Sequence, residues 1–230
     1  MIKALLLDFN GVIIDDEPIQ MRAYQELLAA ENIALTDEEY YDSLGMDDRT
    51  FVEAAYERVG RTPETNKVLE IMQHKSQKWR DIVSDEVPLF ENVENFIRKM
   101  SKDLALGIVS MSNRADILYI LEIAGLTDCF DVIVSTEDVV KCKPDPECYR
   151  IGFRELDLAR TRGGHLPMTH SECVVIEDSP PGVQAGRAAD LPVLGVTNTV
   201  SAEALRSAGA MWVTKDLNDW FPESFRRAFA

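Results

Sequence analysis

Short apolar runs alternate with longer stretches of helical periodicity along most of the chain. The apolar runs predict strands at 3–8, 104–109, 131–135, 173–176, 192–196 and 211–213. Helices are predicted over 91–101, 114–124, 145–156 and 181–189, and a last one begins at about Asn218. Alternation of this kind is typical of a parallel sheet that carries helices on both faces. The pattern therefore predicts the α/β class, with a Rossmann-like three-layer core.

One segment interrupts this alternation, because its apolar positions follow helical spacing only. Within it, helices are predicted over about 18–30, 37–43, 47–59 and 63–84. The last of these is expected to start with Thr62 as its cap and Pro63 at the first helical position. We therefore predict an all-helical cap domain of residues 15–86, inserted into a core made of 1–14 and 87–230. The stretch Arg160–Ser171 is predicted to be an extended loop.

The net charge of the chain limits the classes of molecule that it is expected to bind. The 230 residues include 40 acidic and 24 basic ones, which gives a formal net charge of −16. Such a chain repels nucleic acid and anionic membrane surfaces, so neither is expected as a partner. A phosphate group could bind only where local cations or helix N-termini offset the repulsion. No stretch approaches the roughly 18 apolar residues of a membrane span.

The cysteines and the N-terminus suggest a compartment. The four cysteines show no CxxC pair and no histidine at ligand spacing, which predicts free thiols rather than a metal cluster. Met1–Ala4 runs directly into the first predicted strand, so we expect no signal peptide. These features predict a cytoplasmic protein, expected as a monomer or a weak homodimer.

Polar groups occur in four segments next to predicted strand ends. They are Asp8 with Asn10, Ser110 with Met111 and Asn113, Lys143 in a Lys-Pro-Asp-Pro run, and the pair Glu177-Asp178. Each alone has an ordinary explanation, such as a helix cap for Ser110 or a solvated turn for Lys143. Because ligands bind at the carboxyl ends of parallel strands, the combination is more specific. An aspartate placed there can attack phosphorus or hold a divalent cation.

These four segments resemble the four motifs of the haloacid dehalogenase superfamily of phosphatases and phosphomutases. The helical insertion after the first motif resembles the branch that contains beta-phosphoglucomutase and phosphoglycolate phosphatase. The runs that carry the likeness are Gly11–Pro18, Lys143–Pro146 and Ile176–Gly182. The resemblance covers nearly the whole chain.

The resemblance implies a role for each segment. Asp8 is expected to be the nucleophile, and Ser110, the Met111 N–H and Lys143 are expected to hold phosphate. The resemblance also implies a Mg²⁺ cofactor, held by Asp8, the Asn10 carbonyl and Asp178, with Glu177 adjacent. Magnesium prefers oxygen ligands in near-octahedral geometry and shares them with substrate phosphate. Attack would give an aspartyl phosphate that water or an acceptor hydroxyl later cleaves.

Asn10 departs from the family pattern, in which the second residue after the nucleophile is an aspartate that transfers protons. General acid–base catalysis of this kind is worth ~10²–10⁴-fold. Three explanations stay open. The substrates have good leaving groups, or another acid such as Asp15, Asp16 or Glu17 supplies the proton, or the asparagine was introduced to trap a complex.

Two other activities of the superfamily are disfavoured. The members that cleave carbon–halogen bonds also lack the aspartate, but they do not carry the magnesium pair that Glu177-Asp178 resembles. Phosphonate cleavage needs a lysine in the cap, and the matching stretch Leu44–Arg49 has none.

Two cap residues bear on specificity. Arg49 falls where beta-phosphoglucomutase has an arginine that binds the distal phosphate; a surface ion pair with Asp47 or Asp48 explains it equally well. Gln20 replaces that enzyme's cap histidine. Because both proton-handling positions carry amides, hydrolysis is favoured over sugar-phosphate transfer.

We therefore expect a magnesium-dependent hydrolase of a small phosphorylated metabolite. The alternatives are a beta-phosphoglucomutase-like mutase and a weakly active protein that binds phosphorylated ligands.

Overall fold

A single parallel sheet forms the centre of the computed structural model, which describes residues 1–230. Its strands are β1 (Ala4–Leu7), β2 (Ala105–Val109), β3 (Val132–Val134), β4 (Cys173–Glu177), β5 (Val193–Val196) and β6 (Trp212–Thr214). Their order across the sheet is β3-β2-β1-β4-β5-β6. The register pairs Leu7 with Ile108 on one side and with Ile176 on the other. Polar residues that follow β1, β2 and β4 therefore emerge side by side.

Ten α-helices accompany the sheet. They are α1 (Glu17–Ala30), α2 (Asp37–Tyr41), α3 (Asp48–Arg58), α4 (Thr65–Val83), α5 (Val93–Met100), α6 (Arg114–Ile123), α7 (Glu147–Arg162), α8 (Pro180–Ala188), α9 (Ala202–Ala208) and α10 (Pro222–Ala228). None of them is both long and apolar enough to cross a membrane.

The sheet has an apolar layer on each face. Leu5 and Leu7 belong to one buried cluster together with side chains of α5, α6 and α10. Ala4 and Leu6 point the other way and belong to a second cluster with side chains of α7, α8 and α9. This alternation follows from the two-residue period of a strand. The predicted α/β fold with a three-layer, Rossmann-like core is confirmed.

The four helices α1–α4 have a buried cluster of their own, which includes Tyr24, Leu28 and Val52. Two chain segments connect them to the core, and these segments lie next to each other. The Asp15 amide donates to the Pro88 carbonyl at 2.7 Å. Trp79 and Val83 of α4 also belong to the cluster that contains Leu5 and Leu7, so the cap packs against the core as well as being connected to it.

The cap lies against the carboxyl edge of the sheet. Arg80 of α4 pairs with the buried Asp116 of α6 at 2.7 Å, and the Thr136 hydroxyl of the core donates to Asp47 of the cap at 3.2 Å. Gly45 approaches Pro181 so closely that a Cβ there would lie 2.9 Å from its ring. These contacts describe a closed cap.

Several element boundaries differ from the prediction, among them the start of α4, the end of α7 and the start of the last helix. Helix α4 begins at Thr65, with Glu64 as its extended N-cap residue, because the residues it buries begin only at Val68. Helix α7 continues to Arg162 and a 3₁₀ helix begins at His170, so only residues 163–169 of the predicted 160–171 loop are irregular. Basic residues in the last turn of α7 and the following glycine explain this end. The last helix begins at Pro222 rather than near residue 218, since proline is favoured in a first turn.

The separate cap cluster allows a test of how the cap is stabilised. Replacing the fully buried Leu28 by alanine should lower the free energy of unfolding by about 2–5 kcal/mol, because it leaves a cavity. Leu69→Ala on the cap surface, where the side chain is 39% exposed, should change it by less than about 0.5 kcal/mol. Urea titration of both variants measures the difference, and equal losses would contradict the assignment of Leu28 to a packed cap core.

Candidate active site

The cavity between cap and sheet brings the predicted site residues together. Asp8 follows β1, Ser110 follows β2 and Asp178 follows β4, and all three line the cavity with Lys143. Its enclosed volume is about 90 Å³, well below the ~300 Å³ of a typical small-molecule pocket. The cap must therefore open to admit a substrate.

Lys143 is the central cation of the cavity. Its Nζ lies 2.9 Å from Asp8 Oδ2 and 2.7 Å from Glu177 Oε1, and it also donates to the Val109 carbonyl. Burial by itself would lower the pKa of Lys143, but the charges of Asp8 and Glu177 raise the pKa above its ordinary value. The ammonium group therefore stays charged.

Glu177 is fully buried and holds this lysine in place. Besides Lys143, its carboxylate accepts hydrogen bonds from the Tyr149 hydroxyl at 2.7 Å and from the Ser179 hydroxyl at 3.0 Å. Burial opposes its charge, yet the lysine and these hydroxyls lower its pKa below the ordinary value. A Cβ on Gly182 would lie 1.9 Å from the Glu177 carboxyl carbon, so only glycine leaves room for it. The Glu177 oxygens are occupied by protein donors.

Asp8, Glu177 and Asp178 form a group whose candidate ligand atoms all lie within 4.8 Å of one another. Burial and the charge of Glu177 raise the pKa of Asp8 to about 8, and burial with the same neighbour raises the pKa of Asp178 well above its ordinary range. Such crowding of buried acids calls for a cation beyond Lys143.

The surroundings of this group fit a hard divalent cation. No hydrogen bond from the protein reaches the Asn10 carbonyl oxygen, which leaves it free as a ligand. Thr199 donates to one oxygen of Asp178 and thereby orients it. Gly11 has φ +72°, and a Cβ there would lie 1.8 Å from Asp178 Oδ2. Asp8, Asp178 and the Asn10 carbonyl are therefore the oxygens that could hold the ion.

Of the three acids considered as replacements for a proton-transferring aspartate, one faces the cavity. Asp15 is exposed on the surface, and Asp16 is fully buried outside the cavity lining. Glu17 lines the cavity and accepts a hydrogen bond from the Tyr40 hydroxyl at 2.5 Å. Burial and the neighbouring Asp16 raise the pKa of Glu17 to about 7.

The residues predicted to contact the rest of a substrate are only partly in the cavity. Met111 and Gln20 line it. Arg49 does not: it pairs with Glu53 at 3.7 Å and lines a neighbouring cleft between cap and core. Asn113 also lies in that cleft, where its side chain caps α6. Asp48, the first residue of α3, lines the cavity instead of Arg49.

Several site residues were not singled out from the sequence. They are Ser112, Asp48, Tyr24, Tyr40, Tyr149 and Thr199. For Thr199 a signal existed, because β5 ends at Val196 on the same edge of the sheet. No sequence signal marked the tyrosines as site residues, since apolar periodicity alone predicts that they pack against other apolar side chains.

Comparisons with known proteins agree with this geometry. A family model described as haloacid dehalogenase-like hydrolase matches residues 2–190, and the chain belongs to this family. It is 24% identical over 216 residues to "Phosphorylated carbohydrates phosphatase" of Thermotoga maritima, covering 93% of this chain and 94% of that protein. It is 28% identical over 224 residues to "Protein SUPPRESSOR OF QUENCHING 1, chloroplastic" of Arabidopsis thaliana, of whose length it spans 20%.

Among solved structures, a beta-phosphoglucomutase from Clostridium difficile superposes with a TM-score of 0.85 at 19% identity, covering 100% of this chain and 97% of that one. This likeness shows the fold, including the helical cap. The family match and the phosphatase relatives confirm the predicted enzyme class, a hydrolase of the phosphatase type.

The crowded carboxylates predict how metal and pH affect stability. Because the pKa of Asp8 is raised from 3.8 to about 8, the metal-free fold should lose stability as pH rises from about 4 to 8. Mg²⁺ should raise the Tm of the wild type by several degrees. Asp178→Asn should raise the metal-free Tm at pH 7.5. In this variant Mg²⁺ should raise the Tm much less than it does in the wild type.

Thermal scans with and without Mg²⁺ check this, with the exposed Asp103→Asn as the matched control. A Mg²⁺ shift in Asp178→Asn as large as in the wild type would exclude Asp178 as a ligand.

Proposed function

We propose that this protein is a magnesium-dependent phosphatase that forms a phosphoryl-enzyme on Asp8. One observation carries the proposal. The Asp8 carboxylate lies in a closed cavity, 2.9 Å from the Lys143 ammonium, and forms a group of buried oxygens with Asp178. A carboxylate with a neighbouring cation and a divalent metal suits attack on a phosphate dianion.

In the first step, an Asp8 oxygen forms a bond to phosphorus while the bond from phosphorus to the ester oxygen breaks. Lys143, the Ser110 hydroxyl and the Met111 N–H are placed to stabilise charge on the transferring group. The Met111 N–H makes no hydrogen bond within the protein, so it is free to donate. When bound, the metal neutralises the carboxylate and the phosphate enough for them to approach each other.

In the second step, water attacks the phosphorus and restores the Asp8 carboxylate. The departing ester oxygen needs a proton, and the attacking water must lose one. Asn10 can donate a hydrogen bond but cannot transfer a proton. We assign this task to Glu17, because among Asp15, Asp16 and Glu17 it is the one that lines the cavity, and its pKa of about 7 suits exchange at neutral pH.

The cap half of the cavity indicates the kind of leaving group. Its lining provides hydroxyl and carboxylate groups from Tyr24, Tyr40, Glu17, Asp47 and Asp48. Its walls expose no cation apart from Lys143. Lys75, behind the wall, is already paired with Asp48 at 3.0 Å. We therefore propose that the substrate is a monophosphate whose remainder is uncharged and rich in hydroxyl groups, as in phosphorylated carbohydrates.

A mutase would need to hold a second phosphate in the same cap region. The acidic lining disfavours this, so hydrolysis is the function that the geometry supports better. The relative from Thermotoga maritima whose name denotes a phosphatase of phosphorylated carbohydrates supports the same choice.

The nucleophile can be tested by phosphate release from a panel of carbohydrate, aryl and acyl phosphates. The wild type should release phosphate only with Mg²⁺, and Asp8→Asn should fall to background, because the amide cannot attack phosphorus. The exposed neighbour Asp15→Asn serves as the matched control and should keep its activity. Equal rates in Asp8→Asn and the wild type would eliminate Asp8 as the nucleophile.

The leaving-group class can be tested with sorbitol 6-phosphate and fructose 1,6-bisphosphate. A second phosphate near the carboxylates of the cap half costs about 1–4 kcal/mol, so kcat/KM should be at least ~10-fold higher for the monophosphate. Asp47→Asn should bring the kcat/KM values for the two compounds closer together. Glu53→Gln lies outside the cavity and should leave their ratio unchanged. Equal use of both compounds would refute the substrate class while leaving the phosphatase assignment intact.

A further inference from the structure

The Asn10 side chain is held by a complete set of partners. Its Nδ2 lies 2.9 Å from each carboxylate oxygen of Asp16. Its Oδ1 accepts hydrogen bonds from the Ser112 hydroxyl at 2.6 Å and from the Ser110 hydroxyl at 3.3 Å. The amide nitrogen faces acceptors and the amide oxygen faces donors, so the orientation of the side chain is fixed.

Asp16 is equally constrained. It is fully buried, and its carboxylate also accepts hydrogen bonds from the Gln20 amide at 2.8 Å and from the Trp79 indole N–H at 2.7 Å. None of these donors is a cation, so all the hydrogen bonds to the Asp16 carboxylate come from neutral N–H groups. Asp16 stands directly before α1, and Trp79 belongs to α4. The contact therefore joins position 10 of the core to two helices of the cap.

An aspartate at position 10 would not fit this arrangement. It would place a second carboxylate about 2.9 Å from that of Asp16, in the place of the amide that now donates to both of its oxygens. Two buried like charges at this distance repel strongly, and Asp16 would also lose a donor. An amide at position 16, in contrast, could donate to a carboxylate at position 10.

We propose that Asp16 is the positioning residue for Asn10 and that the amide and the carboxylate at these two positions form a matched pair. The proton-transferring aspartate that the family carries at position 10 can then be installed only if position 16 gives up its carboxylate. Through Asn10, Asp16 also orients the hydroxyls of Ser110 and Ser112. The expected effects on stability do not depend on the proposed function, whereas the expected effects on activity rest on it.

The test is a double-mutant cycle with the wild type, Asn10→Asp, Asp16→Asn and the double variant Asn10→Asp/Asp16→Asn. Asn10→Asp should lower the Tm by about 5–10 °C, as expected for an uncompensated buried charge. The double variant should recover at least half of this loss, because the amide and the carboxylate have exchanged places. Non-additivity of this kind is the signature of direct contact.

The same four proteins are assayed with an alkyl and an aryl phosphate. The ratio of their kcat values separates proton transfer from folding, since a structural defect lowers both rates alike. The double variant should turn over the alkyl phosphate at least ~10-fold faster than Asn10→Asp, and its alkyl-to-aryl ratio should exceed that of the wild type.

Asn10→Asp/Asp157→Asn is the matched control. Asp157 lies in α7 and accepts a hydrogen bond from the Met168 amide, without contact to Asn10. The change in Tm caused by Asp157→Asn should add to the loss caused by Asn10→Asp. This double variant should therefore recover none of the stability that Asn10→Asp loses.

A double Asn10/Asp16 variant that is no more stable than Asn10→Asp, including the case in which neither folds, would overturn the proposal. Folding of the double variant when Asn10→Asp does not fold would support it. If the Tm values of the four proteins follow the expectation while Asp8→Asn releases phosphate as fast as the wild type, that result would refute the proposed function and leave the matched pair of Asn10 and Asp16 supported.

Discussion

Confinement of several carboxylates around one lysine is the constraint on which the site depends. Asp8, Glu177 and Asp178 emerge from adjacent strands, so the register of the sheet forces them together. Lys143 can neutralise only part of that charge, although Glu177 holds it in place. A buried excess of negative charge is costly, and under the proposed function a divalent cation would offset this cost when it binds.

The cap completes the site because the sheet edge alone is open. Its two connections to the core lie side by side. Its contacts with the core are polar, as between Arg80 and Asp116, and also apolar, since Trp79 and Val83 of α4 are buried in the cluster that contains Leu5 and Leu7. The cap places Glu17 and Asp48 in the lining of the same cavity as Asp8, and under the proposed function these acids select the leaving group.

The phosphate half of the site was predictable to a large extent and the cap half was not. Asp8, Ser110 and Asp178 directly follow strands, and a strand end has a fixed position in a parallel sheet. Lys143 lies nine residues beyond β3, and its Lys-Pro-Asp-Pro run was the signal for it. Arg49 is a residue for which this reasoning failed, since it was predicted to contact the substrate and lies outside the cavity. One residue along a helix turns a side chain by about 100°, so its neighbour Asp48 faces the cavity while Arg49 lies outside it.

The sequence by itself determined the α/β class, the helical insertion and the family of the chain, because periodicity and local motifs specify these directly. Only the tertiary structure decided what surrounds Asn10. Asp16 lies six residues away, yet its other partners include Trp79, which is 63 residues further along the chain. Burial of a charge depends on everything packed around it, and that environment exists only once the cap and the core have come together.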